Sequence, residues 1–490
     1  MSDEIQNHVI TFYSYKGGTG RTMALANVAC LLARQAKGKG VLMIDWDLEA
    51  PGLHRFFQDK FTKLFSGTND IDRAYDEKDG LIDLFYKLNE AITKPQNEDE
   101  ASALLDSVNW DQFILETDIK SLYLLKAGRF DEKYAYRVNT FNWVDFYNRS
   151  PSIFRLLAEH LTKHYQYVLI DSRTGITDIS GICTNLMPDK LVVVFTPNRQ
   201  SLMGLKDLIQ KAASYRKQSD DLRPLAVFPL PSRIEYAELD LRRDWRYGNK
   251  KKNIVGYQSL FENLFKYIYS LPDCDLRRYF DEVQIQHIPR YAYGEEIAVL
   301  VERLGDRLSL ARSYESFTKS LVDHSGPWEY IGAVDIDFDT FLEKVKQREY
   351  DAFFIYNEYE EYNISGIIMQ LASIGILPAW LQMSMEFKEN LSNLSFVERN
   401  SRSLVIFIGK HGLSFWQRKA LRYILNGFEK TGRPIITVLL PGAEQDTKHW
   451  GKIIDIRDIS VYEAIDRLIW GITGKHPDKS KNETAQGIKK

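Results

Sequence analysis

The stretch YSYKGGTGRTMALANVA, Tyr13 to Ala29, sets Gly17, Gly18 and Gly20 between an apolar run, HVITF, and a segment of small and apolar residues. Glycines there let successive backbone N–H groups face an anion with no Cβ in the way, and a helix starting just behind them adds its positive N-terminal end. That is chemistry for a phosphate. Thr22, at the start of the helix, is placed to offer its hydroxyl to Mg²⁺. Two further apolar runs end in carboxylates: KGKGVLMIDWDLEAPGLHRFF in Asp45 and Asp47, and YQYVLIDSRTGITD in Asp171. One Asp at a strand end is commonly a cap or turn residue. Three carboxylates on two strands beside a glycine loop on a third suit a Mg²⁺-nucleotide site.

These residues work together only if the strands that carry them are parallel neighbours, so that all three loops emerge at one edge of a sheet. The pattern supports this. HVITFY, GVLMID, SLYLLKAG, YQYVLID, KLVVVFT, RPLAVFP and VQIQHIP are apolar, β-rich runs separated by helical periodicities, as in a parallel sheet covered on both faces. The fold class expected is α/β. This first domain is expected over residues 1–325. The pattern breaks at Gly326 and Pro327 and turns acidic, which gives a linker over 326–344. A second series, YDAFFIYN, GILPAWLQ, SLVIFIG, RPIITVLLPG and KIIDIRD, predicts a smaller α/β domain over 345–475. The polar, basic remainder, 476–490, is expected to be a disordered tail.

Bulk properties narrow the partners. With 490 residues, a net charge of −3 and three scattered cysteines, the chain reads as soluble and cytoplasmic, with packing cysteines rather than disulfides. No apolar run reaches the roughly 20 residues of a spanning helix. The histidines are read as giving no transition-metal site. LRRDWRYGNKKKN, Leu241 to Asn253, mixes basic and aromatic residues that could grip nucleic acid. Nearby Glu235, Glu238, Asp240 and Asp244 favour a solvated surface insertion instead. VYEAIDRLIWGITG is amphipathic without a cationic face, so it reads as the last helix of the second domain and no membrane partner is expected.

YKGGTGRT, VLMIDWDLEAPGL and YVLIDSRTGITD together resemble the nucleotide motifs of the deviant Walker-A ATPases, the ParA/MinD class, over roughly residues 8 to 325. The resemblance implies a P-loop NTPase fold, ATP and Mg²⁺ as ligands, and a homodimer formed through this domain. It makes Lys16 the signature lysine that reaches the partner subunit's phosphates. Gly17, Gly18, Thr19, Gly20, Arg21 and Thr22 form the phosphate cradle, with Thr22, Asp45 and Asp171 serving the metal. Asp47 positions or activates the attacking water. Pro197, Ser232 and Arg233, at the ends of VVVFTPNRQ and FPLPSRIE, are candidates for holding the base, and HIPRYAYGEEIAV is assigned no chemistry.

Two positions depart from the family. Arg21 stands where it has a lysine, keeping the charge but changing the contact geometry, which points to slow hydrolysis. Tyr15 replaces the first glycine, so its side chain is expected to turn away from the nucleotide.

The second series, with YDAFFIYNEYEEYNISG, GILPAW, ERNSRSLVIFIG and SFWQRKAL in that order, resembles a Toll/interleukin receptor (TIR) domain. Such domains serve either as assembly platforms or as NAD⁺ hydrolases with a glutamate four residues after the tryptophan of the SxW segment. Here the tryptophan is Trp416 and the fourth residue on is Ala420. A methyl group cannot replace a carboxylate. Glu429 lies more than two helical turns away, and Glu358, Glu360 and Glu361 read as a solvated loop. The expectation is an ATP-controlled dimerisation switch acting on an assembly domain with a further protein partner. The joining of two such domains resembles prokaryotic immune and antiphage proteins. The alternatives are an NAD⁺-consuming effector gated by the ATPase domain, and a DNA- or membrane-positioning ATPase.

Overall fold

The computed structural model describes residues 8–328 and 350–475, apart from short stretches of which the longest are 63–70, 303–308 and 381–397. The expected linker beyond Trp328, the tail 476–490, Glu358 and Glu361 lie outside the described residues. The chain divides into two compact units. The first comprises 1–213, 225–268 and 273–330, and the second 214–224, 269–272 and 331–490.

The first unit is built on a seven-stranded sheet: β1 (His8–Tyr13), β2 (Val41–Asp45), β3 (Ile114–Glu116), β4 (Leu122–Leu125), β5 (Tyr167–Asp171), β6 (Lys190–Phe195) and β7 (Ala226–Pro231). Their order is β3-β4-β2-β5-β1-β6-β7, and all pair in parallel except β3 with β4. β1 is buried from Val9 to Tyr13, and β2, β5 and β6 along their whole lengths, as apolar strands covered on both faces must be. β1 enters between β5 and β6, so the ends of β1, β2 and β5 open on one crevice where the strand order reverses. Register sets Asp45 directly beside Asp171.

VQIQHIP, read as a strand in the sequence, forms only an isolated bridge, Ile234 to Gln286. Gln284 and Gln286 alternate with Val283 and Ile285, His287 breaks the alternation, and the segment extends the end of β7 for one pair. β3 was not foreseen; three residues are too few to carry a pattern.

The helix α1 (Arg21–Gln35) follows β1 through the glycine loop. Its buried residues mix small ones, Ala24, Ala26, Ala29, Cys30 and Ala33, with larger apolar ones such as Leu25, Val28, Leu31 and Leu32. Past β2, Trp46 is fully buried, its ring 5.4 Å from that of Phe85 and 6.4 Å from those of Trp143 and Phe154. This aromatic cluster anchors the chain between Asp45 and Asp47.

The second unit holds β8 (Ala352–Ile355), β9 (Pro378–Trp380), β10 (Leu404–Ile408), β11 (Ile435–Leu439) and β12 (Lys452–Asp455), all parallel, in the order β12-β11-β10-β8-β9. Counted within the unit this is 2-1-3-4-5, the flavodoxin-like doubly wound arrangement. The helix Val461–Thr473 closes it as expected. Glu360, read as solvated, is buried: its carboxylate lies against the Cα of Gly409 and accepts the His411 N–H at 3.3 Å. The apolar strand before it gave no sign that the chain folds back over the end of β10.

Candidate functional site

The loop Tyr15–Gly20 leaves β1 and enters α1 through Gly20, whose φ of +85° is left-handed and disfavours any side chain; Gly18 is left-handed too, at +71°. A Cβ on Gly17 or Gly18 would meet nothing within 4 Å, and one on Gly20 would press on the Ser232 hydroxyl at 3.3 Å. No side chain caps α1 and no acid sits in its first turn, so its N-terminal N–H groups remain for an anion. The Tyr15 ring lies against Gly204 of the helix Arg199–Gln218, away from the loop's open side, where a Cβ would come within 2.5 Å of it.

Beneath the loop, Arg21 reaches two strands. Its Nε donates to Asp171 Oδ1 at 2.5 Å and its Nη2 to Asp47 Oδ2 at 2.8 Å. The Thr22 hydroxyl donates to the other oxygen of Asp171, Oδ2, at 2.7 Å. Arg21 is 6 % exposed and Asp171 1 %. Burial would lower the guanidinium, but Asp171 and Asp47 more than offset it and hold Arg21 above its already high value. Burial pushes Asp171 up to about 6 against the pull of Arg21. Asp45 is raised by complete burial; its Oδ2 accepts the Leu53 N–H at 3.2 Å and lies 3.9 Å from His54 Nδ1.

A cleft of about 980 Å³ opens over this network. Of the residues singled out in the sequence, Gly17 to Thr22, Asp47, Ser232 and Arg233 line it. Asp171 is not part of the lining and reaches it through Arg21 and Thr22, while Asp45 is buried behind. Lys16 is exposed, and neither it nor half-buried Pro197 lines the cleft. Arg233 has φ +55°, unusual for a non-glycine, at the cleft wall.

Sequence reasoning missed the far walls. The segment assigned no chemistry supplies His287, Ile288, Tyr291 and Tyr293, Gln286 comes just before it, and the chain following β2 and β4 supplies His54, Phe56, Phe130 and Tyr134. No local motif marks them; they meet the cleft only through the fold. Tyr134 is held there by its hydroxyl on the Leu48 carbonyl at 2.6 Å, and His287 by Glu235.

Buried polar atoms here without a hydrogen-bond partner among the described residues include Arg21 Nη1, Asp45 Oδ1, Thr19 Oγ1 and His54 Nδ1. A spare buried donor beside an open glycine loop suits a phosphate oxygen. The oxygen-only set of Thr22, Asp171 and Asp45 is chemically suited to Mg²⁺, which takes one or two carboxylates and completes its shell with water and phosphate. Among the described residues no three His, Cys, Asp or Glu side chains converge. His160 and His164 do stand one helical turn apart, a spacing the sequence reading passed over, with rings 5.1 Å from each other. His160 bonds Asp106 at 3.1 Å and stacks on Trp110.

Three basic residues of the stretch 241–253 are paired with acids in or near it in the fold. Arg246 is buried against Gln258 and pairs with Asp281, Lys252 pairs with Asp244 and Arg243 with Asp240. No helix among the described residues is long and apolar enough to cross a membrane.

A parallel sheet, a glycine loop running into a helix, and a threonine and carboxylates at the strand ends define a P-loop nucleotide-binding domain. Residues 7–223 match the AAA domain family. The chain is 28 % identical over 218 residues to the virulence plasmid ParA family protein pGP5-D of Chlamydia trachomatis, a match covering 44 % of this chain and 66 % of that protein. It thus spans just under two thirds of that relative's length. Solved structures similar to it include the cell division ATPase MinD of Pyrococcus furiosus, at 17 % identity, 64 % of this chain, 99 % of that chain and a TM-score of 0.37. Another is a putative plasmid partition protein of Borrelia burgdorferi bound to AMPPNP, at 16 %, 65 %, 99 % and 0.39. The amino-terminal domain is thus similar to the AAA domain family over residues 7–223, and the chain to a ParA family protein. The second domain is α/β.

Proposed function

We propose that this chain is an ATP-driven dimerisation switch. ATP and Mg²⁺ occupy the cleft, two amino-terminal domains close on the nucleotide, and the paired second domains present a surface for a further protein. The observation that carries this reading is the network of Arg21, Thr22, Asp47 and Asp171 under an open glycine loop. The loop N–H groups and Arg21 bind phosphate, and Thr22 and Asp171 hold the metal, which when bound neutralises charge on the phosphates. Asp47 faces the cleft and orients the attacking water once freed from Arg21. Tying up that carboxylate makes hydrolysis slow, so binding acts as the signal and hydrolysis as the reset. Lys16, exposed on the rim of the loop, is free of the duties inside the cleft and suits contact with a partner's nucleotide.

The second domain is read as TIR-like and as an assembly platform. Ala420, at the place where the resemblance puts a catalytic carboxylate, is buried in the helix Phe415–Lys430, and Glu429 is exposed further along it. Assembly rather than NAD⁺ cleavage follows, in a role analogous to immune proteins of similar make-up. The pairing of Arg243, Arg246 and Lys252 with acids weakens the DNA-positioning alternative.

Calorimetry and phosphate release on wild type and Asp47→Ala test the nucleotide reading. The variant is expected to bind Mg²⁺-ATP like wild type and to turn over about a hundredfold more slowly. Unchanged turnover would remove Asp47 from this role.

A further inference from the structure

Asp47 and Asp171 are both nearly buried, and two carboxylates so placed need a cation. The cation they have is part of the chain. Arg21 sits at the front of α1 and spans from the end of β5, through Nε, to the loop after β2, through Nη2. A lysine ammonium could not do this, being a point charge on a flexible stem where the guanidinium is a rigid fork. Both oxygens of Asp171 are thereby in use, Oδ1 by Arg21 and Oδ2 by Thr22, and Asp47 Oδ2 is taken as well. The donor left over is Arg21 Nη1. A free divalent cation would therefore have to displace a buried, charge-assisted bond to reach Asp171, whereas a phosphate meets open glycines and a spare donor.

Resting on the reading that the cleft takes a Mg²⁺-nucleotide, we infer that Arg21 is the resident cation of the site. It keeps metal from the empty carboxylate pair and makes nucleotide the first ligand to bind, with little help from metal. A metal arriving with the nucleotide must itself displace Arg21 from Asp171, so the gain from its new bond is largely cancelled and it adds little to nucleotide affinity. This also sets the order of events: phosphate recognition comes before Asp47 is released to orient water. Arg21 thus acts as a positioning residue that shields the metal site and presents its spare donor to the phosphates.

Calorimetry on the full chain, wild type and Arg21→Lys, tests this with two probes. ADP is titrated in EDTA and again with excess Mg²⁺, and Mn²⁺ is titrated into nucleotide-free protein. Wild type is expected to bind ADP within about threefold the same in both conditions and to give no heat with Mn²⁺. Arg21→Lys, whose single ammonium leaves a carboxylate open, is expected to bind ADP about tenfold more tightly with Mg²⁺ than without, and to take up Mn²⁺. Wild-type affinity that rises about tenfold or more with Mg²⁺, or Mn²⁺ uptake by the nucleotide-free wild type, would overturn the assignment while leaving the nucleotide reading intact. Absence of ADP binding to wild type in both conditions would overturn the nucleotide reading and this inference with it. The wild-type arms decide even if Arg21→Lys does not fold.

Discussion

Lys126 makes a second buried charge, close to but separate from the phosphate network. Its ammonium is completely buried, donates to the Tyr75 and Asp76 carbonyls at 2.6 and 3.1 Å, and lies over the rings of Tyr75 and Phe130. It thus caps the short helix Ile71–Asp76 and supports Phe130 at the cleft wall. Burial pushes it down to about 8 from an ordinary 10.5. Between those values the unfolded chain holds more protons, so this lysine makes the fold more stable as pH rises and costs stability in full below pH 8. Denaturant unfolding of wild type should gain about 2 kcal/mol more between about pH 8 and 10 than that of Lys126→Met. Equal slopes would mean that the amine is not desolvated in the fold. Nothing in KAGRF announces this role. Arg21, by contrast, was conspicuous as a departure from its motif, yet its partners could not be read from sequence, because they lie 26 and 150 residues away.

At the level of elements, the strands were legible because parallel strands buried on both faces must be continuously apolar. All five of the second domain's strands and six of the seven expected in the first appear, and the carboxylates at the ends of β2 and β5 fall side by side. Legibility failed where an element has no period of its own: β3, the chain from Val283 to Ile288, and the fold-back that buries Glu360. Trp46 shows how an element holds the site. Its ring anchors the β2 exit in the aromatic cluster, while its backbone N–H donates to the Asp171 carbonyl at 2.9 Å and extends the pairing of β2 with β5 past the strand end. Trp46→Ala should cost about 3–5 kcal/mol in denaturant unfolding. A loss below about 1 kcal/mol would mean that the cluster repacks and that Asp45 and Asp47 are fixed by other contacts.

On the scale of the whole molecule the central claim is that nucleotide binding drives association. A ligand shifts an equilibrium only by its extra affinity for one state, and in the proposed switch a lysine reaching the partner's phosphates would supply that difference. Lys16 is exposed and does not line its own cleft, so removing its side chain should spare nucleotide binding and abolish pairing. The most direct test is solution mass by light scattering for wild type and Lys16→Ala, each with and without Mg²⁺-ATP. The wild-type mass should double with nucleotide while the variant stays at the mass of one chain. A mass that ignores nucleotide in wild type, or doubles equally in Lys16→Ala, would contradict the switch.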